Sequence, residues 1–328
     1  NASYWSAVWR LLTVRMSQGY EKSYRLKAII RARALAFRPF EIIHSHSVST
    51  TYNYLFMREL LSIPIVTTYH GQVPRGVNRL DGRKLELVLE KGDAFLVNTG
   101  FARDELIGQG CQPEKIHIIP QGSNLKDFPF RARSIEPGEK IILLTVARLS
   151  IEKGHHVAID AVRELVETYP DLEYHIVGDG PCYESLSEQV SRLGLQGRVV
   201  FHGFKSGDEF EAIFASAHIF ILPSIDTGDG YHVETQGVVL QEAQGRGIPV
   251  IGSRTGGIPE VIDDNVTGLL YSEGDHSELA DRIRQLIADN DLYQGMAEAG
   301  RRDVENRFDI NVIAARQLEL YRNILEKE

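Results

Sequence analysis

The sequence predicts an α/β protein built from two doubly wound, parallel-sheet units. Three observations point there. Short apolar runs of strand length alternate with stretches of helical periodicity along most of the chain, the signature of consecutive β-α-β units. The chain has 328 residues, more than the roughly 250–300 at which single hydrophobic cores stop growing. Between two such alternating series, FPFRARSIEPGEK (residues 128–140) gathers two prolines, a glycine and mixed charge, which marks it as a linker.

The elements follow in order. Trp5, Val8, Trp9, Leu12 and Met16 recur at helical spacing, as do Ala28, Ala32, Leu35 and Ala36, so residues 1–38 read as helical. EIIHSH (Glu41–His46) is a strand and SVSTTYNYLFMREL a helix. IPIVTTYH (Ile63–His70) is a strand, Lys84–Lys91 a helix, AFLVNT (Ala94–Thr99) a strand, FARDELIGQ a helix closed by Gly110, and IHIIP (Ile116–Pro120) a short strand. The second series opens with IILLTVAR (Ile141–Arg148), a helix from Lys153 to Thr168, and EYHIVGDG (Glu173–Gly180). A helix near Tyr183–Leu193, VVFHGF (Val199–Phe204), a helix near Asp208–Ser216 and IFILPS (Ile219–Ser224) come next. PVIGSR (Pro249–Arg254) and GLLYSE (Gly268–Glu273) complete the strands. Asp275 can cap a helix with Leu279, Ile283, Leu286 and Ile287 on one face. A last helix over about Ile310–Leu325 places Ala314, Leu318, Tyr321 and Leu325 on one side.

Composition narrows the classes. Two distant cysteines, Cys111 and Cys182, with no C-x-x-C and no Cys/His cluster, exclude a disulfide framework or a zinc site and fit a reducing, cytoplasmic compartment. No apolar run approaches the roughly 18 residues of a membrane span. Residues 1–60 hold nine Lys/Arg and three acids, whereas the whole chain carries −9. Such asymmetry suits the polar faces of ordinary helices and also peripheral contact with an anionic membrane at its inner face. The chain begins at Asn1 rather than Met, which points to a longer natural protein.

Ser224–Glu260 concentrates the chemistry. Glu234 and Glu242 stand eight positions apart around TQGVVLQ. GVVLQEAQ has helical periodicity, with Val238, Val239 and Ala243 able to face inward, and Gly245 and Gly247 can end the helix. Glu234 then sits just before a helix start, where free N–H groups suit a phosphate. Glu242 lies roughly 12 Å further along the axis. That separation fits one carboxylate at a sugar and one at a ribose; it equally describes two surface acids on a solvated helix. Arg148 and Lys153 are five apart across a βα turn, where both can neutralise a diphosphate or serve as a salt bridge and a helix-start lysine. Gly178-Asp179-Gly180 lacks the third glycine of a dinucleotide fingerprint and reads as a tight turn. His44 and His46 form H-x-H without an acidic or Cys partner at ligand-like spacing, so no metal is expected there. Asp226-Thr227-Gly228-Asp229-Gly230 lacks EF-hand spacing and reads as a mobile lid or acceptor loop.

The order of these parts resembles retaining glycosyltransferases of family 4, the glycosyl transferases group 1. Pro223-Ser224, Glu234…Glu242, Gly247-Ile248-Pro249-Val250 and Gly256-Gly257-Ile258-Pro259-Glu260 stand in the family's order, and Ala147-Arg148-Leu149…Lys153-Gly154 matches its A-R-L-x-x-x-K-G. One departure is Thr235, where the family usually has glycine directly after the first glutamate; here glycine is delayed to Gly237. The likeness is densest over Ile141–Glu260 and closest to bacterial enzymes of exopolysaccharide and surface-glycan synthesis.

The resemblance implies the GT-B layout: two Rossmann-like domains facing a cleft, with an incomplete N-terminal domain that lacks its usual first strand and Gly-rich loop. The expected division is 1–135 (acceptor side), 136–308 (nucleotide-sugar donor side) and 309–328, a helix packing back towards the N-terminal domain. It implies a sugar moved from a nucleotide diphosphate sugar, UDP-linked in preference to GDP-linked, to a glycan or lipid-linked acceptor. Arg148 and Lys153 would hold the diphosphate, Glu242 the ribose and Glu234 the donor sugar. Gly203 and Phe204 would lie by the nucleobase, Gln236, Gly237 and Val238 at the helix start, and His70 would act from the other domain. No cofactor, no metal and no nucleic acid are expected. A GT-B nucleotide-sugar epimerase and a catalytically silent nucleotide-sugar-binding partner are the alternatives.

Overall fold

The computed structural model describes residues 40–71, 82–136, 138–228 and 233–326. The helix expected over residues 1–38, with the basic residues it carries, lies outside them, as do Asp229, Gly230 and His232. The chain divides into two compact units, one within Asn1–Pro120 and Ala314–Glu328, the other Gln121–Ile313.

The first unit is a four-stranded parallel sheet in the order β1-β2-β3-β4. Its elements are β1 (Ile43–Ser45), α1 (Val48–Leu61), β2 (Ile65–Tyr69), α2 (Gly82–Lys91), β3 (Ala94–Val97), α3 (Gly100–Gly108) and β4 (Ile116–Ile118). Helix starts follow local chemistry: the side chains of Ser47 and Thr99 accept from the backbone N–H groups of Thr50 and Ala102. Every residue of β2 and β3 is buried, as a parallel sheet covered on both faces requires. Leu55, Phe56, Val88, Phe95, Val97 and Leu106 form its core.

The second unit is a six-stranded parallel sheet in the order β10-β9-β8-β5-β6-β7. Its strands are β5 (Ile142–Val146), β6 (Glu173–Val177), β7 (Val199–Phe201), β8 (Ile219–Leu222), β9 (Val250–Ser253) and β10 (Leu269–Tyr271). Its helices are α4 (His155–Leu165), α5 (Tyr183–Arg192), α6 (Gly207–Ser216), α7 (Val238–Gly245), the single turn α8 (Ile258–Val261), α9 (His276–Ala288) and α10 (Asn290–Arg307); α11 (Ile310–Leu325) follows. Alternation along the strands sends side chains to opposite faces. Leu143, Ile219 and Ile221 enter one core cluster, with α4 and α9; Leu144, Phe220 and Leu222 enter another, with Leu240 and Ala243 of α7. Winding reverses between β5 and β8, and in open α/β sheets ligands bind outside the carboxyl ends of the strands at that reversal.

Three expectations need correction. Residues 121–135 belong with the second unit, and the proline- and glycine-bearing stretch is a strap on it rather than a free linker. Arg246, whose side chain is 5% exposed, lies 4.1 Å from the ring centre of Phe128 and 4.4 Å from that of Phe214, and pairs with Glu211 at 2.7 Å. Arg301 donates to the carbonyls of Phe128 and Gly245. The inward face of α7 is Leu240, Ala243 and Gln244, with Val238 and Val239 only half-buried. On α11 the buried residues are Ile313 and Leu320, while Leu318 is 53% exposed. The helix carries two apolar stripes one residue apart, and packing selects the other one.

The strap yields a stability test. Arg246→Ala removes two cation–ring contacts and a buried stem, and should cost about 1–3 kcal/mol in denaturant unfolding. Arg302→Ala, at an exposed pair, should stay within about 0.5 kcal/mol of the parent.

Candidate active site

The candidate site grows from the turns after β5 and β8, the two strands at the reversal. After β5 the chain passes Arg148 and forms one 3-10 turn, Ile151–Lys153, before α4 begins at His155. The continuous helix expected from Lys153 is interrupted at Gly154, which has φ 63°. A Cβ there would stand 1.8 Å from the carbonyl oxygen of Pro223. Only glycine lets this turn lie against the end of β8, and the close approach delivers Lys153. Its Nζ donates to Oε2 of Glu234 at 2.8 Å, with both side chains largely buried.

Glu234 also ties down the start of α7. Its Oε1 accepts the backbone N–H of Gly237 at 3.0 Å, and its carbonyl accepts the N–H of Gly257 at 2.8 Å. Gly237 takes φ 79° as the residue before the helix. The left-handed glycine is therefore present two positions later than the family pattern places it, and Thr235 does not turn Glu234 away. The backbone N–H groups of Val238 and Val239 open α7, where the helix end is electropositive.

Arg148 is held from behind. Its Nη2 donates to Glu152 Oε1 at 2.8 Å, while its own side chain stays 57% exposed. Burial opposes the Glu152 carboxylate, but hydrogen bonds from Ser150 and Arg148 outweigh it and leave its pKa below the usual range. His155 is buried and donates from Nε2, in the tautomer that carries its proton there, to the Arg148 carbonyl at 3.1 Å. Burial pushes its pKa down to about 4, so it braces the turn as a neutral ring.

The β6 and β7 turns join the same assembly through Asp179. Its carbonyl accepts the N–H of Leu149, and its Oδ2 accepts the N–H of Phe204 at 3.0 Å. The Gly203 carbonyl accepts the N–H of Gly178. Part of the Gly203–Phe204 backbone is thus already engaged, and what Phe204 presents outward is its ring, 74% exposed.

Gln236 has a different place from the expected one. It is 1% exposed, and its amide bonds both the N–H and the carbonyl of Gln121, at 2.9 and 3.0 Å. Its side chain clamps the fold and is not offered to a ligand. Glu242 is half-buried in α7. Burial raises its pKa, Arg246 opposes that rise, and Glu211 adds to it. His70 follows β2 in the first unit. Burial, then His46, lowers its pKa, although by surface area the residue counts as exposed.

The structure therefore brings Lys153, Glu234, Gly237 and Val238 together, and links the turn that carries Arg148 to Phe204 through Asp179, with Gly203 bonded to the neighbouring Gly178. Sequence reasoning missed Asp179, Glu152 and His155 as organisers of these turns; the short spacings of Glu152 and His155 from Arg148 were the available signal. Among the described residues no group of three His, Cys, Asp or Glu could hold a metal, and no helix is long and apolar enough to cross a membrane.

Known proteins place the chain in a family and a fold. The model described as "Glycosyl transferases group 1" matches residues 127–303, and that of "Glycosyltransferase Family 4" matches residues 7–127. The chain belongs to the glycosyl transferases group 1 family. It is 31% identical to the amylovoran biosynthesis glycosyltransferase AmsK of Erwinia amylovora, over 89% of this chain and 72% of that protein. It is 30% identical to WcaL of Salmonella typhimurium, assigned as a colanic acid biosynthesis glycosyltransferase, over 94% of this chain and 76% of that one. In fold it is similar to a glycosyltransferase of Rickettsia africae, with TM-score 0.79, 22% identity, and 96% of this chain and 85% of the other covered. It is also similar to Anabaena HepE, with TM-score 0.76, 22% identity, and 87% and 79% covered. The two parallel-sheet Rossmann-like units are those of GT-B glycosyltransferases.

Glu242 gives a pH-dependent prediction. Its raised pKa means the folded chain binds more protons than the unfolded one between the ordinary and the raised value, so its contribution to stability falls as pH rises through that window. Glu242→Gln should raise the thermal midpoint at pH 7, and the gain should vanish below about pH 4, where the unfolded carboxyl is also protonated.

Proposed function

We propose that this glycosyltransferase transfers a hexosyl group, with retention and without metal, from a nucleotide diphosphate sugar to a glycan or lipid-linked acceptor. UDP is favoured over GDP. The observation that carries the reading is the Lys153–Glu234 pair at the start of α7, beside Arg148, at the reversal point of the sheet. Two cations and a helix start form a diphosphate site that needs no divalent ion. The relatives named for amylovoran and colanic acid synthesis support a surface-glycan acceptor, and Anabaena HepE, described in complex with UDP and with UDP-glucose, supports the donor class.

Each residue then has a task. Arg148 and Lys153 neutralise the diphosphate, and the N–H groups of Val238 and Val239 donate to one of its oxygens. Glu234, which holds Lys153 and the Gly237 N–H before the donor arrives, takes sugar hydroxyls as Lys153 turns to phosphate. Glu242 bonds the ribose, and the exposed ring of Phe204 offers a face to the base. His70 serves the donor sugar. In the family's front-face route the acceptor oxygen bonds the anomeric carbon on the side from which the leaving phosphate departs. The bond from that carbon to the phosphate oxygen breaks, and the acceptor proton passes to the phosphate. Contacts that tighten as the sugar flattens raise kcat rather than affinity alone.

Two outcomes test this. Lys153→Ala should weaken UDP binding by about 1.5–3 kcal/mol, the scale of a charge-assisted contact, whereas Glu234→Gln should reduce turnover with UDP affinity nearly intact; unchanged UDP affinity in the lysine variant removes Lys153 from the site. Separately, UDP release from UDP-glucose or UDP-galactose on addition of a lipid-linked oligosaccharide should persist in EDTA. Loss of that release, restored by Mg²⁺ or Mn²⁺, would overturn metal independence.

A further inference from the structure

The carboxyl ends of β1 and β2 carry three imidazoles in one stack. The rings of His44 and His46 lie 4.5 Å apart at 27°, and those of His46 and His70 lie 6.1 Å apart at 14°. The innermost ring is fixed at both nitrogens. His44 Nδ1 is 2.5 Å from the hydroxyl of Tyr321 on α11, and Nε2 is 2.7 Å from Oγ1 of Thr68 on β2. One nitrogen donates and the other accepts, which a neutral ring flanked by two hydroxyls satisfies in either tautomer. The Tyr321 ring also meets His44 edge-on, with centroids 5.8 Å apart.

We infer that His44, His46 and Tyr321 are positioning residues for His70: Tyr321 and Thr68 fix His44, and the fixed ring carries His46 and then His70 in register. The inference rests on His70 taking part in transfer as proposed above. The stack also bears on protonation. The titratable groups that meet these rings include the other imidazoles and Tyr321, whose own pKa is raised by burial. A proton on one ring repels a proton on the next. Burial first, then His46 and His70, push His44 down to about 4, and the same two kinds of cause, burial and His46, lower His70. Burial and the stack together favour His70 as an uncharged imidazole at neutral pH, able to hydrogen-bond a sugar hydroxyl without adding a cation to the site. Because its pKa is lowered, this neutral form persists further into acid than for a free histidine.

The test titrates the imidazole resonances of the full chain by NMR, with His70 assigned by its loss in His70→Asn. His46 is exposed, so His46→Phe, which keeps a flat ring and removes the charge, leaves the core intact; His46→Asn removes the ring as well. In both, the His70 midpoint should rise, and in His46→Phe the acid limb of kcat/KM should move to higher pH with it. Tyr321→Phe removes one anchor and no charge, and should lower kcat roughly tenfold through misplacement while UDP affinity stays at the parent value. A His70 midpoint unmoved in both His46 variants, or parental kcat in Tyr321→Phe, overturns the inference. Full turnover in His70→Asn would sink the role proposed for His70 itself, independently of the titration.

Discussion

Lys153 can reach Glu234 because Gly154 has no side chain. With any other residue there, the turn after β5 could not press on the carbonyl of Pro223, and the cation would stand off from the start of α7. Much of the second unit's design depends on that contact. It joins the turns after the two strands at which the sheet reverses, beside the backbone hydrogen bond from the Ile225 N–H to the Glu152 carbonyl. It also fixes Glu234 from one side, while the N–H groups of Gly237 and Gly257 fix it from others. A partly buried ion pair is a modest contributor to stability once desolvation is subtracted. Its value here is positional: it keeps a lysine and a carboxylate within reach of one another and of a helix end.

The same logic runs outward through the neighbouring turns. Asp179 uses its backbone on the Arg148 turn and its carboxylate on the Phe204 turn, so loops after three different strands share one small network. Glu152 and His155 brace Arg148 from below. Most of these bonds end on main-chain atoms, which makes the scaffold tolerant of side-chain change at exposed positions and intolerant of it at Asp179.

The alternation of strands and helices was readable because it depends on local periodicity, and strand cores such as Ile219–Leu222 matched their apolar runs. The motif residues around β5 and β8 were readable because glycine, proline and charge follow one another at short range. What escaped the sequence depends on distant partners. Gln236 reads as a helix-start ligand residue until its amide is seen to clamp Gln121, 115 positions away. Tyr321 reads as one member of an apolar stripe until its hydroxyl is seen on His44, 277 positions away. Composition also misread the 128–140 stretch, since proline and glycine content carries no information about an arginine elsewhere that holds the phenylalanine within it.

That strap bears on how the molecule can be divided. A fragment that starts at residue 136, where composition would cut, leaves behind Leu125 and Phe128. Those side chains cover Arg246 and the hydrophobic cluster of Phe214, Leu240 and Phe308. The newly bared surface would be apolar, with a guanidinium stripped of one of its two aromatic faces, and such patches drive association between copies. Any attempt to handle the second unit by itself, for binding screens or isotope labelling, is therefore better begun at Gln121, where the compact unit itself begins.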